Sequence, residues 1–171
     1  QVLTTINEKR ITSTQRGMAI LGSWAVLNIA VSGVSRNSLS QNDKYFCDMN
    51  IYWNLVNLGI VGYGLFQTWQ VSPETFTLAK TFKEQQKLEQ TLLFNTALDL
   101  GYVMGGLYLL ERSKRTSSAD GRLSGYGKSI ILQGAFLFCF DLIFYMMIKD
   151  YDSPLYNLMN NVTLGKDGIG I

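Results

Sequence analysis

Two carboxylates stand apart from the rest of this chain's charge. Asp99 and Asp141 each lie inside a twenty-residue apolar segment (91–110 and 129–148) that holds no Lys, Arg or Glu. A carboxyl group in such a setting is costly unless partnered, so it is a functional candidate by default. Two of them brought together in a low dielectric would tend to share a proton, and amides beside them could coordinate a cation. Amides at helical spacing are present. Trp24 and Asn28 lie one turn apart; Asn50, Asn54, Asn57 and Gly64 step by four, three and seven; Asn95, Asp99, Tyr102 and Gly106 by four, three and four. Gln133 precedes Asp141 by eight. Such steps keep each set on one helix face. Pointing all four faces at a common axis gives a polar interior. The candidate ligand-binding seam is therefore Asp99, Asp141, Asn28, Asn54, Asn57, Asn95, Tyr102 and Trp24, with Asp141, near mid-segment, foremost. The amides also have a purely structural use as hydrogen-bonded glue between helices, and for the asparagines that use is favoured.

Other chemistries are poorly supplied. Histidine is absent, which removes haem b ligation, histidine-zinc sites and the usual catalytic triads. Cys47 falls in an expected loop and Cys139 mid-helix, far apart and without CxxC spacing, so neither a disulfide nor a thiol relay is expected. There is no GxSxG, no Gly-rich phosphate loop and no HExxH. Met18, Met104, Met146 and Met147 read as packing residues rather than metal ligands. No catalytic residue, metal or cofactor is expected. The net charge of +2 is small and scattered, which argues against nucleic acid. Asn161-Val162-Thr163 is a glycosylation sequon that would matter only in a eukaryotic secretory setting.

The elements that would position the seam follow from how the apolar residues are distributed. Their share, 47%, is ordinary, and mean hydropathy is only +0.08. They fall, however, into four blocks, at 17–34, 51–70, 91–110 and 129–148. Each is close to the roughly 20 residues that cross a bilayer. A soluble bundle would carry charge on its outward faces every turn; here those faces carry Leu, Ile, Phe, Val and Met. The expectation is an all-α, single-domain, integral membrane four-helix bundle with short water-facing helical extensions. The extensions are the residues before Gly17, an amphipathic stretch at 76–90 started by Ser72-Pro73-Glu74, and a short surface helix at 155–159. The loop at 111–128 and the glycine-rich tail from Gly165 are expected to be flexible. Gly101 and Gly105 form a GxxxG pattern, expected to serve close helix approach inside the bundle, as are Gly59, Gly62 and Gly64.

Basic residues in the loops are nearly balanced, seven on one side against eight on the other. The densest short loop carries Arg112, Lys114, Arg115, Arg122 and Lys128, and placing it inside puts both termini outside the cytoplasm. A first residue of Gln rather than Met fits a trimmed chain or a removed signal peptide, and the second agrees with that orientation.

Gly17-Met18, Trp24-Ala25, Asn28, Tyr45-Phe46, Met49-Asn50, Trp53-Asn54 and Asn57 together resemble a family of small bacterial membrane proteins, mainly of Bacteroidota. The resemblance covers residues 17–57. It implies four helices and a bacterial envelope location, here the inner membrane, and carries over no catalytic residue. Three functions stay in view: a non-enzymatic membrane subunit or accessory protein; an ion, proton or small-solute module using the two aspartates; and a lipid-acting membrane enzyme. The expected partners are the lipid bilayer and either other membrane subunits or further copies of the chain.

Overall fold

The structure, a computed structural model, describes residues 2–115 and 121–167. Among these, every regular element is helical. α1 spans Val2–Ser35, α2 Gln41–Trp69, α3 Leu78–Arg115, α4 Arg122–Lys149 and α5 Asp152–Asp167. The first four are much longer than the apolar blocks inside them.

Local chemistry sets the boundaries. α1 ends in a single 3-10 turn, Arg36–Ser38. Ser40 then caps α2: its hydroxyl accepts from the Asp43 N–H and donates to the Asp43 carboxylate at 2.7 Å. This Ser-x-x-Asp pairing starts the helix ten residues ahead of its apolar block. Cys47 consequently lies on a helix rather than in the expected loop. Ser72-Pro73 opens only one 3-10 turn, Pro73–Thr75, and the Ser72 side chain caps nothing. α3 starts instead after Thr77, whose hydroxyl accepts from the Lys80 N–H at 3.3 Å. From there the amphipathic stretch runs into the apolar block without a break, as expected. Gly121, at φ 56°, precedes α4 in the left-handed region that favours glycine. α5 is longer than the expected surface helix and carries helical backbone past Gly165 to Asp167. The loop expected to be flexible at 111–128 is instead helical over 111–115, the end of α3, and over 122–128, the start of α4; its residues 116–120, and 168–171 of the tail, lie outside the described residues.

α3 and α4 pack antiparallel and closest. A Cβ added to Gly106 would sit 2.8 Å from the Gly127 carbonyl oxygen, and one added to Gly134 would sit 3.0 Å from that of Asp99. The expected GxxxG pair does not do this work. Gly101 and Gly105 face open space, because the buried face of α3 is the seven-residue stripe Leu92, Asp99 and Gly106. Gly59 and Gly62 are open as well, and only Gly64 meets a neighbour closely, at Met18. α2 packs on α1 and on α4. α1 and α4 touch mainly through side chains, among them Trp24 stacked on Phe136 at 3.9 Å.

Three helical stretches, Val2–Ser38, Leu78–Arg115 and Arg122–Leu158, are long and apolar enough to cross a membrane. α2 does not join them, and the reason is visible in its residues. Asn50, Asn54 and Asn57 lower its hydropathy, yet all three point inward and are buried. Its outer surface carries Leu55, Val56, Ile60 and Phe66, all exposed. The same inversion holds throughout. Ile20, Leu27, Phe94, Met104 and Ile143 face outward, while buried polar side chains share the interior with a small apolar cluster of Leu92, Phe144 and Ile148.

Candidate functional site: a polar seam in two parts

Gln133 is fully buried on α4 and ties three helices together. Its Oε1 accepts from Trp24 Nε1 at 2.9 Å. Its Nε2 donates to the side-chain oxygens of Asn50 and, at 3.4 Å, of Asn28. Asn50 Nδ2 donates to Asn28 Oδ1 and to Ser32 Oγ, both at 2.9 Å. Asn28 closes back on the Trp24 carbonyl at 2.8 Å. On α2 the chain of amides continues. Asn54 donates to the Asn50 carbonyl at 2.7 Å, and Asn57 donates to Asn54 Oδ1 at 3.4 Å. The amides satisfy one another. Sequence reasoning placed Asn50 and Gln133 on polar faces but outside the candidate set, and it missed Ser32. A spacing of four from Asn28 would have found Ser32.

The carboxyl groups form a separate cluster. Asp141 on α4 lies beside Asp99 and Asn95, both on α3. Asp99 is 3% exposed, and its Oδ2 is buried without a hydrogen-bond partner. The eight residues from Gln133 to Asp141 rise about 12 Å along α4, so the two clusters lie at different depths. The structure thus brings Asp99, Asp141 and Asn95 together and brings Trp24, Asn28, Asn54 and Asn57 together, but not as one site. Tyr102 belongs to neither. It is 37% exposed, and its ring closes edge-on against Trp53 at 4.8 Å.

A third polar layer, which sequence reasoning did not anticipate, lies beyond the apolar blocks, where the start of α1, the start of α3 and α5 meet. Asn7 donates to Thr81 Oγ1 at 2.9 Å, and Arg10 donates to the Thr81 carbonyl at 3.0 Å. The Arg10 guanidinium and the Lys80 ammonium stand 5.2 and 4.4 Å from the Phe76 ring. Gln85 donates to the Ile148 carbonyl at 2.8 Å, and Ser13 shares a hydrogen bond with the Tyr151 hydroxyl at 2.9 Å. Lys149 pairs with Glu89 at 3.4 Å and Asp152 at 3.3 Å. Asn7, Arg10 and Thr14 step by three and four along α1, but that spacing names no partner on α3. At the opposite end Arg36 forms a two-pronged pair with Asp48, and Arg122 covers the Tyr45 ring at 5.3 Å.

Both cysteines are free. Cys47 is buried, and burial together with nearby Asp48 pushes its thiol above its ordinary value. Cys139 is exposed on α4. No group of three or more potential metal-binding side chains occurs among the described residues. Two cavities of about 300 and 290 Å³ flank α1. One is lined by Val2, Thr5, Ile6, Lys9, Tyr151 and Pro154; the other lies between Ser13–Ile20 of α1 and Phe136–Met147 of α4. Neither touches Asp99 or Asp141.

A family model described as "Family of unknown function (DUF6992)" matches residues 20–142. The match takes in most of the stretch that carries the resemblance, 17–57, and continues through Asp141. No curated protein and no solved structure matches the chain. The chain belongs to this family of unknown function.

Proposed function

We propose that this family member is a non-enzymatic integral membrane subunit or accessory protein, whose four long helices span the bilayer and whose amide seam holds them in register. The observation that carries this reading is the inversion of the fold. Large apolar side chains cover the outside, and the buried amides bond to one another rather than to an open cavity. Exposed apolar surfaces of that kind mark contact with lipid or partners. α2 joins the other three as a span in this reading, because the asparagines that lower its hydropathy lie on its inner face. A bacterial inner-membrane location with both termini outside the cytoplasm is part of the same proposal.

Two measurements test it. Alkaline carbonate washing of native membranes should leave the chain in the pellet; release into the supernatant would refute the spanning reading. Mild extraction followed by quantitative mass spectrometry should then recover a membrane protein in fixed stoichiometry. A monodisperse chain with no protein partner would refute the subunit reading.

A second reading has one observation in its favour. The unpartnered Oδ2 of Asp99, buried beside Asp141, fits a pair that takes up a proton or small cation. Under that reading Asp141→Asn folds normally but loses binding or flux in proteoliposomes. Wild-type flux in the folded variant would end it.

A further inference from the structure

One side of α1 faces two cavities, the outer one against Tyr151 and Pro154 and the lower one against α4. Val2, Thr5, Ile6, Lys9, Ser13, Arg16, Gly17 and Ile20 line the two cavities, and steps of mainly three and four residues put them on one face of α1. Across from the lower part run Phe136, Phe140 and Phe144, with consecutive ring centres 6.1 and 5.9 Å apart. Gly17 lets the Phe144 ring pack directly on α1 at the trough's floor, since a Cβ there would lie 3.1 Å from that ring. The lower cavity holds about 290 Å³ and is lined almost wholly by apolar groups, with Ser13 and Arg16 at its rim. The eleven helical steps from Phe136 to Met147 rise about 16 Å, roughly half the ~30 Å of a bilayer core, which is the depth of one leaflet.

Charge sits where that leaflet would end. Arg16 immediately precedes the apolar block at 17–34, and Lys9 lies seven residues further out, about 10 Å along the helix. Both are exposed, and neither has an ion pair or hydrogen bond among the described residues. Of the carboxylates at this end, Glu89 and Asp152 are engaged by Lys149, and Glu84 on α3 lies near Arg10. The rim thus carries two cations without partners among the described residues, above an apolar slot of about 290 Å³.

From this geometry we infer that the α1–α4 trough binds one acyl chain of an anionic phospholipid, its phosphate held by Arg16 and Lys9. The inference rests on the membrane-spanning reading above. Cys139 supplies a handle, because its thiol lines the trough while Cys47 is buried.

The test uses the full chain in mild detergent, offered phosphatidylglycerol or phosphatidylcholine with identical acyl chains, with bound lipid counted by native mass spectrometry. Wild type should retain one phosphatidylglycerol per chain in preference to phosphatidylcholine. Arg16→Gln should lower that preference about fivefold, the effect of one cation near a headgroup. Capping Cys139 with N-ethylmaleimide should abolish retention of both lipids, with far-UV circular dichroism unchanged. An unaltered preference in Arg16→Gln, an unaltered lipid count after capping, or no retained phosphatidylglycerol in wild type would each overturn the inference. A chain that stays soluble once detergent is removed would defeat the spanning reading itself, which separates the two failures.

Discussion

Replacing Gln133 with Leu should unlock the amide seam without opening a large hole. The two side chains are similar in size, so the loss is chiefly of hydrogen bonds. Three are removed: one from Trp24 Nε1, one to Asn28 and one to Asn50. Asn28 Oδ1 keeps its bond from Asn50, whereas the Trp24 indole N–H loses its acceptor. Buried side-chain hydrogen bonds between membrane helices average about 0.6 kcal/mol and reach about 1.7. Three at the average give about 2 kcal/mol, near thirtyfold in the folded-to-unfolded ratio. The assay is unfolding by sodium dodecyl sulfate in mixed micelles, followed by circular dichroism and tryptophan fluorescence. Gln67→Leu is the control, since Gln67 bonds Tyr63 on the outer face and should shift stability by less than about 0.5 kcal/mol. A double-mutant cycle of Trp24→Phe with Gln133→Leu should show coupling of about 0.6 kcal/mol or more. If Gln133→Leu matches wild type within about 0.5 kcal/mol, or the cycle is additive, the seam does not hold the helices and its structural role is refuted.

Further outcomes follow from particular contacts. Gly106→Ala forces a methyl against the Gly127 carbonyl and Ile131 and should cost about 1–3 kcal/mol, while adjacent Gly105→Ala, facing open space, should be neutral or stabilising in the same unfolding assay. Thr81→Val removes the acceptor for Asn7 and should cost about 1 kcal/mol, with amide exchange faster at the start of α1 than in its apolar block. A small maleimide should modify Cys139 in the folded protein and Cys47 only after unfolding, which peptide mapping reads directly.

The helices were legible because their period and their inner faces agree. Asn50, Asn54 and Asn57 on one side, with Leu55, Val56 and Ile60 on the other, define both the element and its rotation. What sequence could not supply was which stripes meet at which depth. Gln133 and Asp141 share a face of α4, yet Gln133 bonds to Trp24, Asn28 and Asn50 on α1 and α2, while Asp141 lies beside Asp99 and Asn95 on α3. The glycines show the same limit. The GxxxG spacing is real, but a rotation of one residue, from Gly105 to Gly106, decides which glycine touches α4. Helix starts were the least legible part: the Ser40–Asp43 cap that starts α2 ten residues before its apolar block went unread, and Ser72 before Pro73 opens one turn and hands the helix to Thr77. The layer joining Asn7, Arg10 and Thr81 pairs residues more than seventy positions apart, and no local pattern announces such a contact.

The outer lengths of two helices bear on how force would pass through the fold. α1 and α3 continue without a break from the seam, past their apolar blocks, for fifteen and thirteen residues, or about 20 Å of unbroken helix. In a bilayer these outer lengths form a braced pair of rods, pinned to each other at Thr81 and to α5 through Tyr151 and Asp152. A tilt of about 10° applied at their tips would displace those tips by ~3.5 Å. The same rods carry Trp24 and Asn28 on one and Asn95 and Asp99 on the other, so in the proposed spanning arrangement a load on the outer layer would reach both halves of the buried seam through unbroken helix.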